Sequence, residues 1–357
     1  MADRNIILSV KDIEVKFRVR EHYLTAIRNV SLDLYEGETF AIVGESGSGK
    51  SVFTKTFTGM LESNGAITKG SIQFHDKDLV KLESDKDWEG IRGAKISTVF
   101  QDPMTSLNPI RTIGSQIVEV IEKHQGISKA EAKEQAIDIM TRVGIPNAAD
   151  RFDEYPFQYS GGMRQRIVIA IALSCHPEIL ICDEPTTALD VTIQAQIIEL
   201  IRDLQRELGF TTVYITHDLG VVAKVADRVG VMYGGQIVEY GTVEEIFYDP
   251  QHPYTWALLS SLPQLGTKGE DLYYINGTPP SLYNKIKGDS FAPRNPNALK
   301  IDFEKEPPFF KVSDTHYAKT WILDPRAPKL EKPEAIRNLH AKIEKMTGKG
   351  GAFYVDE

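Results

Sequence analysis

Eight residues, Gly44-Glu45-Ser46-Gly47-Ser48-Gly49-Lys50-Ser51, constrain this chain more than any other stretch. They follow Thr39-Phe40-Ala41-Ile42-Val43, a short apolar run of the kind that forms a strand buried on both faces. After them Val52, Phe53, Phe57, Met60 and Leu61 recur at helical spacing. The segment therefore matches the phosphate loop G-x-x-x-x-G-K-[ST] in the strand–turn–helix setting that motif needs. Its glycines let backbone N–H groups converge on a β-phosphate, and the dipole of the new helix adds positive potential. Lys50 would bridge the β- and γ-phosphates, and the Ser51 hydroxyl would ligate Mg²⁺. A plain glycine turn with a surface lysine does not account for that setting.

The rest of the chain alternates between two rhythms. Ile13, Val15, Phe17, Val30, Leu32 and Leu34 alternate with polar residues, which predicts antiparallel strands. Residues from about 105 to 175 read as mostly helical, with Ser128 and Glu131 as a capping box and Gly144 with Pro146 as a stop. Strands are expected over Lys95–Phe100, Ile179–Cys182 and Thr211–Thr216, and a helix face over Ile193, Ile197, Leu200, Ile201, Leu204 and Leu208. Val229 to Tyr240, broken at Gly234-Gly235, reads as a hairpin. Beyond about 245 prolines punctuate the chain, and Glu331 to Lys349 reads as a charged, solvated helix. With 357 residues and ~100–200 per domain, two domains are expected. They are an α/β unit over 1–244, with a helical insert at about 102–175, and a loop-rich extension over 245–357.

Charge and apolar runs exclude several functions. Lys plus Arg number 41 against 50 Asp plus Glu, and this net charge of −9 disfavours nucleic acid or an anionic membrane surface. No run of ~18 uncharged apolar residues exists, so no segment is expected to span a bilayer. The N-terminus lacks the shape of a signal peptide. Cys175 and Cys182 lie in apolar runs and read as reduced core residues of an intracellular protein.

Three further places carry chemistry. Asp183 and Glu184 emerge at the end of a buried strand, where open α/β sheets bind ligands. Asp183 fits a partner of Mg²⁺, and Glu184 fits the group that polarises an attacking water. His217 ends the next strand of this kind and fits a γ-phosphate contact. Gln101 closes the strand before the helical insert, where it can reach Mg²⁺ or water and tie the core to the insert.

Tyr159-Ser160-Gly161-Gly162-Met163-Arg164-Gln165-Arg166 decides the family. With the phosphate loop, Gln101, the Asp-Glu pair and His217 in this order, Ile7 to Tyr240 resembles the ATP-binding cassette of ABC transporters. Ala188-Leu189-Asp190 matches that family's D-loop. The resemblance implies a mostly parallel sheet flanked by helices, an N-terminal antiparallel β subdomain and a helical subdomain. It also implies head-to-tail dimers, each ATP clamped between one subunit's phosphate loop and the other's Ser160-Gly161-Gly162. Phe17 sits where the family places an aromatic that stacks on adenine, with Tyr23 second.

Phe247 to Thr255, Gly277 to Leu282 and Phe291 to Arg294 look like the extension of oligopeptide and dipeptide importer ATPases. Tyr155 to Arg166 resembles the D-type subunit of oligopeptide permeases of the Opp/Ami kind in Gram-positive bacteria. That resemblance implies ATP and Mg²⁺ as cofactors and a homologous F-type ATPase as partner in a heterodimer. It further implies two transmembrane permease subunits, an extracellular peptide-binding lipoprotein and a peripheral place at the cytoplasmic face of the cell membrane. Import of dipeptides, nickel or another small solute is the rival reading. A soluble ABC ATPase of DNA maintenance would carry a coiled coil or zinc insert between Ser51 and Ser160, and none is present. Many relatives bear four cysteines in the extension, associated with an iron–sulfur cluster. Here Asp289, Asn295, Asp302 and Thr320 stand near those places, so no such cluster is expected. The extension is instead expected to fold on Pro-rich turns and one aromatic cluster (Tyr254, Trp256, Phe291, Phe303, Trp321) and to serve as a metal-free contact surface.

Overall fold

The computed structural model describes residues 5–187, 189–261 and 275–337. Ala188 of the D-loop, and the expected tail helix beyond Arg337, lie outside the described residues. Twelve strands occur among those described. They are β1 (Ile6–Val19), β2 (His22–Tyr35), β3 (Thr39–Val43), β4 (Gly65–Phe74), β5 (Lys77–Asp78), β6 (Ile96–Val99), β7 (Ile179–Asp183), β8 (Thr211–Ile215), β9 (Arg228–Tyr233), β10 (Gln236–Thr242), β11 (Phe310–Lys311) and β12 (Tyr317–Ala318).

One sheet runs β2-β1-β4-β5 and is antiparallel. The other runs β11-β12-β10-β9-β3-β8-β7-β6, with β9, β3, β8, β7 and β6 mutually parallel. Because side chains alternate along a strand, each central strand serves two cores. Phe40, Ile42, Ile179, Ile181, Val213 and Ile215 pack with Leu8, Ile13, Ile27 and Leu34 of the antiparallel sheet. Ala41, Val43, Leu180, Cys182 and Tyr214 face the helices instead. The helices Ile113–Gln125, Lys129–Arg142 and Gly161–Leu173 form the insert between β6 and β7. The Ser128–Glu131 capping box is present, and Gly144 sits at φ 79° just after that helix.

The helix after the phosphate loop is shorter than its apolar spacing predicts, Lys50–Lys55. Thr56 and Thr58 donate to Phe53 and Lys55, so the chain tightens into three-residue turns that keep Phe57 buried without a regular helix. Met60 is left 38% exposed.

Residues beyond 244 share the main sheet and core. β12 pairs with β10, and Tyr254, Trp256 and Phe291 belong to the same cluster as Val229 and Tyr233. The single aromatic cluster expected for the extension is therefore corrected. Phe303 is 55% exposed, and Trp321 meets Phe310 and donates its indole N–H to the Lys305 carbonyl. Asp289, Asn295, Asp302 and Thr320 are buried. The first three act as turn formers: Asp289 accepts from the Phe291 N–H, Asn295 from Asn297, and Asp302 from Leu299. Among the described residues, no group of three or more His, Cys, Asp or Glu is placed to hold a metal ion.

Glu239, fully buried on β10, ties the start of the extension to the sheet. It accepts from the Gln251 N–H at 2.6 Å and the His252 N–H at 3.0 Å, and pairs with His316 Nε2 at 2.7 Å. Glu239→Ala should lower unfolding stability in urea by about 3 kcal/mol, because buried donors lose their acceptor. Tyr23→Ala on the exposed hairpin should stay within about 0.5 kcal/mol.

Burial pushes Asp289 up to about 6, from an ordinary 3.8. The folded chain thus holds this proton more tightly than the unfolded one. The stability this contributes is full below about 3.8 and is lost as pH rises through about 6. Asp289→Asn keeps the acceptor oxygen, so its urea midpoint should exceed the parent's at pH 8 and converge with it near pH 4.

Candidate functional site

β3, β8, β7 and β6 are neighbours and parallel, so their carboxyl ends meet at one edge of the sheet. That edge gathers the phosphate loop after β3, Gln101 after β6, Asp183 and Glu184 at the end of β7, and His217 after β8. Within the loop Gly44, Gly47 and Gly49 have φ of 151°, 77° and 106°. At Gly44 a Cβ would lie 2.1 Å from the Met232 carbonyl oxygen, so only glycine passes beneath β9. Ser46 and Gly47 form the exposed crest, while Ser48 and Lys50 are buried.

Lys50 Nζ donates to the carbonyls of Gly44 at 2.9 Å and Glu45 at 3.0 Å. Burial pulls its ammonium below the ordinary lysine value, with Glu184, Asp183 and Glu45 opposing that pull. Ser51 Oγ donates to Asp183 Oδ1 at 2.9 Å. Burial pushes the Asp183 carboxyl up, and the Ser51 hydrogen bond acts the other way. A hydroxyl and a carboxylate side by side are the hard oxygen donors that Mg²⁺ prefers, and a buried lysine under glycine amides suits a polyphosphate.

Glu184 has φ 47°, rare for a side-chain-bearing residue. Its N–H continues the ladder to the Ile215 carbonyl at 2.9 Å while the left-handed turn swings the carboxylate to the front. Gln101 Nε2 donates to Oε2 at 3.2 Å, Thr187 Oγ1 to the same oxygen at 3.0 Å, and His217 Nδ1 stands 3.5 Å from Oε1. Gln101, Glu184 and His217 are thus brought together. Thr187 was not signalled by the sequence, where it is one of two adjacent threonines.

Phe17 is only 8% exposed, and its ring lies over Gly65, its cross-strand partner on β4, where an added Cβ would come within 2.5 Å. Phe17 thus presents little open surface, whereas Tyr23 on the same hairpin is 61% exposed. Ser160 caps the helix Gly161–Leu173 by accepting from the Met163 N–H, and it is exposed with Gly161. Among the described residues no hydrogen bond or ion pair joins Ser160, Gly161 or Gly162 to the phosphate loop. Gly162 permits close packing, since its Cβ would lie 2.6 Å from Ile193 Cγ2 on the helix that Asp190 caps.

Residues 27–187 match the ABC transporter family, and residues 238–301 match the oligopeptide/dipeptide transporter C-terminal region. The oligopeptide transport ATP-binding protein AmiE of Streptococcus pneumoniae is 68% identical over 97% of this chain and 98% of its own. The chain belongs to the ABC transporter ATP-binding family. OppD of Bacillus subtilis, an oligopeptide transport ATP-binding protein, is 56% identical over 95% of this chain and 94% of its own. DppD of Lactococcus lactis, a dipeptide transport ATP-binding protein, is 56% identical over 98% and 99%. Among solved structures, a dimeric ATP-binding cassette bound to ADP and Pi superposes with a TM-score of 0.59 and 29% identity, covering 66% of this chain and 98% of that one.

ABC ATPases bind ATP, generally with Mg²⁺, and act as dimers with transmembrane permease components. No described helix of this ABC ATPase is long and apolar enough to cross a membrane. Lys50→Ala should weaken nucleotide affinity about 10–100-fold, the worth of a charge-assisted hydrogen bond of about 1.5–3 kcal/mol. Titration with a fluorescent ATP analogue reads this directly, and unchanged affinity would remove Lys50 from the phosphates.

Proposed function

We propose that this chain hydrolyses ATP to power import of oligopeptides through an ABC transporter, with 1–244 as the cassette and 245–357 as its extension. The observation that carries the reading is the meeting of Gln101, Glu184 and His217 beside the Ser51–Asp183 pair. In the proposed reaction Lys50 neutralises the β- and γ-phosphates. Glu184 accepts a proton from the water whose oxygen attacks the γ-phosphorus, and the bond to the β-phosphate oxygen breaks, leaving ADP and phosphate. His217 donates to a γ-phosphate oxygen, while Gln101 and Thr187 hold the Glu184 carboxylate. Ser51, with Asp183 behind it, would hold Mg²⁺, which would supply charge neutralisation at the phosphates. Tyr23 is the proposed contact for adenine.

The Ser160-Gly161-Gly162 turn, exposed at Ser160 and Gly161, has donors to offer the γ-phosphate of a second ATPase subunit, proposed to be a homologous F-type chain. A cleft of about 220 Å³ between β6 and the helical insert, lined by Phe100, Ser106, Val120, His124 and Ile171, is the proposed seat of a permease segment. Gln101 adjoins Phe100, so movement in the cleft is transmitted to Glu184. With two such permease subunits and an extracellular peptide-binding lipoprotein, the chain would sit peripherally at the cytoplasmic face of the membrane. Peptide cargo is supported by relatives at 56–68% identity named for oligopeptide or dipeptide transport, so dipeptides are the second reading.

Proteoliposomes holding the complete transporter should take up labelled oligopeptide only with ATP inside. Uptake of nickel but of no peptide would overturn the cargo assignment. Ser160→Arg should leave ATP affinity at this chain's own loop intact yet stop hydrolysis at the partner's. Native mass spectrometry showing two copies of this chain and no second ATPase would overturn the heterodimer.

A further inference from the structure

We propose that the extension acts as a latch on the phosphate loop, with Arg294 and Tyr254 as positioning residues that set the affinity of the nucleotide site. The latch closes on Glu45, an unspecified position of the loop motif. The Glu45 N–H donates to the Tyr254 hydroxyl at 2.8 Å. Its carboxylate takes both arms of the Arg294 fork, Nη1 to Oε2 at 2.6 Å and Nη2 to Oε1 at 3.0 Å.

Each partner is built into the extension rather than resting on it. The Arg294 side chain is 5% exposed, and its remaining donors are all taken, by the carbonyls of Asn276 and Ile275 and by the Tyr233 hydroxyl. Tyr254 is fully buried and packs on Tyr233 and Phe291 with ring centroids 4.4 and 5.4 Å away. A bidentate arginine held on every donor fixes the carboxylate it meets in direction as well as charge.

The far side of the loop is pinned independently. Gly235 donates its N–H to the Ser48 carbonyl at 3.0 Å, and Gly49 lies against Ile27 and Ala26. Glu45 is thus the near anchor of a loop whose far end is already fixed, and the latch removes the freedom left between them. A loop ordered in advance binds more tightly because ordering no longer opposes binding. Arg294 also neutralises an acid that would otherwise face the incoming triphosphate.

This inference rests on the ATP-site reading above, and the test separates the two. Mg-ATP KM and kcat are measured on the complete transporter for the parent, Lys50→Ala, Arg294→Gln, Arg294→Lys, Tyr254→Phe and the double variant Glu45→Gln/Arg294→Gln. Arg294→Gln should raise KM about 10-fold, the cost of stranding the half-buried Glu45 charge, with kcat at saturating ATP within about twofold. Arg294→Lys should recover part of the loss, and the double variant should be less impaired than Arg294→Gln because no acid is stranded. Tyr254→Phe, which keeps the ring, should raise KM by about threefold and speed hydrogen exchange at residues 44–49 without ATP. Parent-like KM for both Arg294→Gln and Tyr254→Phe, with Lys50→Ala impaired, would overturn the latch alone. An unaffected Lys50→Ala would overturn the ATP site beneath it. Should Arg294→Gln fail to fold, Tyr254→Phe decides by the same KM criterion.

Discussion

The hydrogen bond from Ser51 to Asp183 joins positions 132 residues apart and depends on the register of three strands. Ile42 of β3 pairs with Ile215 of β8, and Ile215 pairs with Asp183 of β7. A slip of one residue in either ladder would turn Asp183 to the other face of the sheet and leave the loop's hydroxyl without its carboxylate. The same register places Glu184 one residue further on, where its N–H still reaches Ile215 and its side chain meets Gln101 and His217. Two apolar cores hold this register, one on each face of the sheet.

Each described subdomain reaches the phosphate loop or the carboxylates behind it at one point or more. The antiparallel sheet reaches Gly49 through Ala26 and Ile27, and β9 covers Gly44 through Met232. The extension holds Glu45, and the helical insert is linked through Gln101 at its root. The site is thus a junction of subdomains, and a movement of any of them bears on the loop. The signature turn at Ser160 is the exception. It is exposed in its own chain, open to the second subunit proposed above.

Local pattern was enough to read much of this. The phosphate loop, Asp183-Glu184, His217 and Gln101 were legible because each ends a strand whose apolar run can be seen without its neighbours. β3 begins and ends where its apolar run does, and the Ser128 capping box is a four-residue signal. What stayed hidden depended on partners distant in sequence. The burial of Phe17 is one case: its neighbour across the ladder is Gly65, and the missing side chain there leaves room for the ring in the core. Phe303 was counted in a cluster it does not join. Tyr254 and Arg294 gave no sign of touching Glu45, since 209 and 249 residues separate the partners.

The measurement that bears most directly on this account is turnover of the purified transporter carrying Glu184→Gln, alongside its affinity for Mg-ATP. The amide keeps the shape and the Gln101 neighbour but cannot accept the proton of the attacking water. ATP affinity should stay within about twofold of the parent while turnover falls ~10²–10⁴-fold, the usual share of a positioned base. Parent-level turnover in that variant would contradict the assignment of Glu184 and the mechanism built on it.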